Sequence, residues 1–167
     1  GAFGGAVAQS NANDLTIQAS HDVTLGVDAT IENAGSGNVV LAAGNDFHND
    51  TGSLTPIVTG SGRWAAYSTR PDQNRNDIEI TNQDFIQYGL TFDPSDTLPA
   101  SLPSGSGLIY EVVPVVTITA DNVTITYGDE IPTDQVSISA QVNGIDVDID
   151  AFGFAESNYA DAVVAST

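Results

Sequence analysis

A repeat of 24 residues near the start of the chain constrains its fold more than any other sequence feature. The segment Asn13–Val23 reads NDLTIQASHDV and Gly37–Phe47 reads GNVVLAAGNDF, so that Leu15 aligns with Val39. In both segments an apolar residue recurs at every second position, and a polar pair follows. Short alternating strands that recur every 20 to 30 residues or so are typical of a β-solenoid, in which inward side chains of successive coils stack in apolar rows.

This pattern predicts an all-β protein whose residues 10–70 form a right-handed parallel β-helix. We expect four side chains to point into the β-helix, namely Leu15, Ile17, Val39 and Leu41. The alternative is a pair of antiparallel hairpins whose similarity is accidental. The two readings differ in the direction of pairing between the repeated strands, which is parallel only in the β-helix.

Bulky residues suggest how the β-helix ends. Between residues 61 and 110 the 24-residue rhythm fades, and arginine, tryptophan, tyrosine and phenylalanine become frequent. Because an open solenoid end exposes unpaired strand edges, a cap is physically needed there. We assign this aromatic cap to Arg63, Trp64, Tyr67 and Tyr110, and we expect Trp64 to pack over or within the last coil.

The remaining residues predict a second, small β-sandwich-like module. Gln135–Val142 and Ile145–Ile149 alternate in polarity around Asn143–Gly144, which is the strongest short hairpin signal in the chain. We therefore divide the chain into a β-helix with its capping segment at residues 1–113 and a small module, which looks like an incomplete repeat, at residues 114–167.

The charge balance excludes several classes of partner. The chain of 167 residues has 22 acidic residues against three arginines and no lysine, a formal net charge of −19. Such a charge repels nucleic acids and anionic membrane surfaces, so that we expect neither as a partner. The sequence contains no run of 18 apolar residues, so it predicts no membrane-spanning helix. The absence of cysteine excludes disulfides and thiolate chemistry.

The sequence contains no convincing catalytic constellation, and we predict that the chain is not an enzyme. Its two histidines, His21 and His48, lie near equivalent corners, beside Asp22 and beyond Asp46. A histidine–aspartate pair can act as a general base or bind a metal, but on a solenoid corner we interpret both as solvated turns. We expect no cofactor.

Calcium is the one ligand that the acidic residues suggest. Asp146, Asp148 and Asp150 alternate in GIDVDIDAF, which places them on one strand face, where like charges repel. A calcium ion would relieve that repulsion, since it binds several carboxylate oxygens. The alternative is a solvated face. Asp22 and Asp46 are a weaker case of the same kind, because stacked coils would place them one strand spacing apart.

The three arginines, beside the cap aromatics, admit two interpretations. They could form a small patch that binds anions or sugars through stacking and paired hydrogen bonds. They could instead neutralise neighbouring acids such as Asp72 and Asp77, which is the interpretation we favour.

Four segments resemble a known family in both motif and order. These are SGRWAAYST, DFIQYG, GSGLIYEVVP and VVTITADNVTITYGDEIP, at Ser61–Thr69, Asp84–Gly89, Gly105–Pro114 and Val115–Pro132. They are similar to the end of the β-helix, and to the small Tyr-Gly-Asp type β repeat that follows it, in filamentous haemagglutinin-like adhesins of two-partner secretion. The chain departs from the family pattern at Ala65 and Ala66, where bulky residues usually follow the tryptophan.

The resemblance implies a non-enzymatic segment of a large secreted bacterial surface adhesin. Such a segment would serve adhesion, biofilm contact, or spacing as a stalk. It would meet a surface glycan or protein of a host or another bacterium, and its full-length chain would need an outer-membrane secretion partner. Gly1–Ala8 lacks a basic region, so we interpret it as part of a larger chain. The alternative function is a β-helix protein that binds or processes polysaccharides.

Overall fold

The computed structural model divides the chain into two compact units, Gly1–Val113 and Pro114–Thr167. The residues it describes are 2–71, 80–120, 136–142 and 145–147. All regular structure in them is β-strand, and none of it is a helix that could cross a bilayer.

The strands of the first unit are short. They are β1 (Ala2–Phe3), β2 (Ala6–Gln9), β3 (Leu15–Ala19), β4 (Val23–Leu25), β5 (Thr30–Asn33), β6 (Val39–Ala43), β7 (Phe47–Asn49), β8 (Ile57–Thr59), β9 (Trp64–Ser68), β10 (Phe85–Tyr88) and β11 (Gly107–Tyr110).

These strands form three parallel sheets, β1-β4-β7, β2-β5-β8 and β3-β6-β9-β11-β10. From β1 to β9, consecutive strands of the chain lie in different sheets, and each sheet collects equivalent strands from successive coils. Leu15 pairs with Val39 in a parallel register, as the 24-residue repeat predicts. The next coil places Trp64 beside Val39, with one residue more in the repeat. The predicted parallel β-helix is therefore confirmed.

The interior of the β-helix is filled by alternate residues of each strand. Val39 and Leu41 are fully buried, and Leu15 and Ile17 pack against the same cluster from the strand at its edge. Trp64 belongs to this cluster too. The four side chains predicted to point inward therefore do so.

The sheet that contains β6 and β9 is also buried on its outer face. Outward residues such as Val40 and Ala65 pack under Leu102, Phe92 and Leu98 from the segment between β10 and β11. We call residues 90–103 the flap. Strands that are covered on both faces carry apolar residues at consecutive positions rather than at alternate ones. This explains the VVLAA sequence of β6 and the mostly apolar WAAYS sequence of β9. Ala65 and Ala66 lie on opposite faces and are both buried, so small residues fit where the flap and the interior press on one strand.

At the end of the β-helix, the order of the strands in the sheet differs from their order in the chain. Strand β11 lies between β9 and β10, although β10 precedes it in sequence. The chain thus leaves β9, forms the outermost strand, and returns through the flap to insert β11. Strand β10 is the last strand of this sheet, and the rings of Tyr88 and Tyr110 contact each other at 5.4 Å between centroids.

Polar side chains connect successive coils at the corners. Asp14 Oδ1 accepts hydrogen bonds from the backbone amide and the side-chain amide of Asn38, at 2.7 and 3.1 Å. Asn38 Oδ1 accepts one in turn from the amide of Arg63, at 3.0 Å. At Gly37 the coils approach so closely that a Cβ atom would collide with the backbone of Asn13. The corners therefore favour glycine and asparagine for close stacking.

The second unit contains one antiparallel sheet of three described strands. They are β12 (Val115–Ala120), β13 (Val136–Val142) and β14 (Ile145–Val147), in that order. Val142 pairs with Ile145, so β13 and β14 are adjacent antiparallel strands, as the predicted hairpin requires.

Candidate functional site

Titratable side chains converge at the corner that precedes β4 and β7. Asp22 and Asp46 occupy equivalent positions on successive coils, and the backbone amide of Asp46 donates a hydrogen bond to Asp22 Oδ1 at 3.3 Å. His48 follows on β7, in register with Thr24. One donor atom from each of Asp22, Asp46 and His48 lies within 4.8 Å of the other two. We call these three residues the corner cluster.

The two histidines differ in their environment. His21 is exposed as expected, with Nδ1 lying 3.4 Å from Asn45 Nδ2. His48 is only 7% exposed, so the interpretation of this residue as part of a solvated turn is wrong. Its position on β7 points it outward by strand alternation, and its burial therefore comes from packing on the outer face rather than from the local sequence pattern.

Asp46 lies at the centre of the corner cluster and is mostly buried. Its side chain is 16% exposed, and Arg70 Nη2 lies 3.5 Å from Oδ2 in a loose ion pair. The other oxygen, Oδ1, is buried and accepts no hydrogen bond from the described part of the chain. Arg70 thus partly neutralises the charge of Asp46. This is the kind of role that we favoured for the arginines, although the acids named there were Asp72 and Asp77. Asp72, Arg75 and Asp77 lie outside the described residues.

A second feature is a groove on the outer face, beside the start of the flap. Its volume is about 170 Å³. Residues that line it include Gln18, Ser20, Tyr67, Phe92 and Glu111. Gln18 and Ser20 are exposed, whereas the Phe92 ring is half-buried. The groove exists because the flap covers β6 and β9 but leaves the outer face of β3 open.

The four residues assigned to the cap have structural roles. Arg63 Nη1 donates to the carbonyl oxygen of Pro103 at 2.9 Å, which ties the flap to the corner before β9. Trp64 is 1% exposed and Tyr110 is fully buried, both inside the β-helix. Tyr67 points to the opposite face, under the flap. Trp64 and Tyr67 therefore present no open aromatic surface beside the arginines on which a sugar could stack.

Tyr67 is the described group with the largest change in acidity. Its hydroxyl donates to the carbonyl oxygen of Thr97 at 2.8 Å, and its ring meets Phe92 edge-on at 5.2 Å. Burial and, to a smaller extent, the negative charge of Asp96 raise the pKa of Tyr67 to about 12, and the positive charge of Arg63 opposes both. The tyrosine therefore stays neutral and fixes the flap throughout the neutral pH range.

The calcium site predicted in the second unit falls partly outside the described residues. Asp146 is exposed on β14, and its Oδ1 accepts a hydrogen bond from Gln141 Nε2 at 2.7 Å. Asp148 and Asp150 are not among the described residues. The calcium site thus remains a prediction from the sequence.

Comparison of the chain with protein-family models, with curated proteins and with solved structures gives no significant match. The function must therefore be argued from the fold and from these two surfaces.

Sequence reasoning missed the groove and anticipated the corner cluster only in part. The alternation of β3 fits an open outer face, but the groove depends on where the flap stops, which no sequence pattern shows. The corner cluster had a signal in the repeated aspartates, but the burial of His48 had none.

Proposed function

We propose that this chain is a non-enzymatic segment of a large secreted bacterial surface adhesin, with the β-helix as a spacer and its outer surface as a contact region. The observation that carries the proposal is the parallel stack of coils, in which each coil pairs with the next and buries one continuous interior. Such stacks grow by addition of coils, which suits a protein that must extend from a surface. The resemblance of the cap segments to two-partner secretion adhesins supports the same reading.

The surface chemistry supports contact with a neutral or cationic partner. The net charge of −19 would repel anionic polymers, and the arginine closest to the corner cluster, Arg70, already faces Asp46. The groove beside Phe92 combines a half-buried ring with the amide of Gln18, the hydroxyl of Ser20 and the carboxylate of Glu111. Rings and hydrogen-bonding groups of this kind suit a neutral glycan or a polar protein segment.

The test is binding without turnover. The purified chain is applied to arrays of neutral and acidic glycans, and its self-association is followed by sedimentation. We expect binding to a neutral surface glycan, or association between copies. We also expect Phe92→Ala to weaken that contact, whereas Val58→Ala, at an exposed apolar position on another sheet, should not.

The rival is a β-helix enzyme that processes polysaccharides. Incubation with acidic and neutral polysaccharides, followed by measurement of new reducing ends and unsaturated products, separates the two. Turnover that depends on Asp22 or Asp46 would establish the rival and overturn the non-enzymatic role. Absence of both binding and self-association would remove the contact role of the groove and leave only the spacer.

A further inference from the structure

The corner cluster combines two kinds of metal ligand on two consecutive coils. Asp22 belongs to the first coil, and Asp46 and His48 belong to the second, two residues apart across the start of β7. Their donor atoms, two carboxylate oxygens and one imidazole nitrogen, all lie within 4.8 Å of one another. Nothing in the proposed adhesive role requires this convergence.

Burial distinguishes the corner cluster from ordinary surface acids. His48 is more than nine-tenths buried, since only 7% of the residue is exposed. Asp46 Oδ1 is buried and accepts no hydrogen bond from the described residues, and Arg70 approaches only the other oxygen. A buried carboxylate oxygen that lacks a hydrogen bond is costly. A cation in contact with this oxygen would remove that cost.

We propose that Asp22, Asp46 and His48 bind one divalent transition-metal cation of the Zn²⁺ class. Imidazole nitrogen is a preferred ligand of these ions, whereas calcium and magnesium take oxygen ligands almost throughout. Zinc binds carboxylate oxygen and imidazole nitrogen at about 2.0–2.2 Å, so small side-chain rotations would bring the three donors onto one ion. The two carboxylates would balance its charge, and the fourth position would hold water.

The metal would act as a clamp between coils. It would replace the repulsion between the stacked carboxylates of Asp22 and Asp46 with a shared attraction. The same convergence has a metal-free explanation, in which the guanidinium of Arg70 supplies the positive charge beside Asp46. The two explanations differ in whether a stoichiometric ion binds.

The probe is Zn²⁺ itself, titrated calorimetrically into the full chain after removal of metals with a chelator. We expect one ion to bind per chain at micromolar concentration, with the unfolding midpoint raised. Calcium or magnesium at the same concentration should not reproduce this. Weak binding of several ions per chain would mean that scattered carboxylates hold the metal, and it would overturn the proposal.

Matched variants identify the ligands. Asp22→Asn keeps an oxygen that can accept the hydrogen bond from the Asp46 amide. It should nevertheless weaken zinc affinity by more than about tenfold, since mutation of even an outer-shell partner lowers metal affinity by about 10–100-fold. Asp14→Asn is the control, because Asp14 also accepts a hydrogen bond from a backbone amide 24 residues later. It should leave the affinity unchanged. Equal effects of the two variants would overturn the proposal.

The magnetic resonance signals of the imidazole rings report zinc binding directly, without depending on a change in the free energy of unfolding. The chain has two histidines, and a His21→Gln variant assigns them both. Zinc should shift the ring resonances of His48 and leave those of His21 in place. A shift of His21 alone, or no shift at His48, would overturn the site. The assay needs no substitution of the buried His48 and so does not depend on a variant that could fail to fold.

Discussion

The hydroxyl oxygen of Ser106 accepts a hydrogen bond from the buried backbone amide of Trp64, at 3.0 Å. The amide of Ser106 donates in turn to Asp84 Oδ2, at 2.7 Å. Ser106, which directly precedes β11, thus joins the first residue of β9 to the residue before β10. This link lies at the start of β11, which pairs with two strands that precede it in the chain.

Ser106→Ala should lower the free energy of unfolding by about 1–3 kcal/mol, because it leaves a buried amide without its partner. Denaturant unfolding measures the change. Ser104→Ala is the matched control, since Ser104 is exposed two residues earlier, and it should have little effect. An equal loss in both variants would mean that the hydrogen bond to Trp64 does not hold the inserted strand.

Trp64→Ala should cost about 3–5 kcal/mol, the usual range for a large buried aromatic side chain. Trp64 is 1% exposed within the interior cluster, so its removal leaves a cavity that the coils cannot easily close. Trp64→Phe, which keeps a ring, should lose less. Thermal melting compares the two, and an unchanged midpoint for the alanine variant would place the main packing of the cap elsewhere.

Gly37→Ala should destabilise the β-helix by about 1–3 kcal/mol, the typical cost of overpacking. A Cβ atom there would collide with the Asn13 backbone on the preceding coil. Gly4→Ala makes the same substitution at an exposed glycine with nothing within 4 Å, and it should be neutral. If chemical denaturation gave the same stability for both variants, the coils would not stack this closely at the corner.

Tyr67 predicts an alkaline loss of stability. Its folded pKa of about 12 exceeds the ordinary value of 10.0, so its contribution is complete below pH 10 and is lost as the pH rises toward 12. Tyr67→Phe should abolish that part of the pH dependence and also remove the hydrogen bond to Thr97. Unfolding free energies at pH 9 to 11 test this. Parallel pH profiles for the two proteins would contradict it.

Sodium chloride should raise the melting temperature, because it screens repulsion among 22 acidic residues against three arginines. Melts in calcium and in sodium plus chelator, at matched ionic strength, separate screening from a site. We expect equal midpoints. A higher midpoint in calcium that Asp148→Asn abolishes would instead establish the site at Asp146, Asp148 and Asp150.

The sequence predicts the parallel pairing well because the repeat has a nearly constant period. Leu15 and Val39 are equivalent by alignment, and in a stack of coils equivalent residues become neighbours. Trp64 was assigned to the cap region for its size, and it is buried within the β-helix. Both predictions follow from the alternation of apolar residues within a strand and from the need to cover the unpaired strand edge at the end of the β-helix.

The features that the sequence does not predict depend on packing between segments that are not related by the repeat. The insertion of β11 beside β9 cannot be read from spacing, because the connecting segments that bracket β10 differ in length and composition from the coils. Alternation places His48 on the outer face of β7 and therefore predicts exposure, yet the residue is buried. Local patterns give the direction of a side chain, whereas burial depends on what covers that face.

The most direct test of the account is the location of the chain in its source cells. An antibody against the β-helix should label intact, unpermeabilised cells or detect the chain in the medium, and added protease should remove the surface signal. An internal protein that resists protease in the same samples is the control. Signal that appears only after permeabilisation would contradict a role at the cell surface.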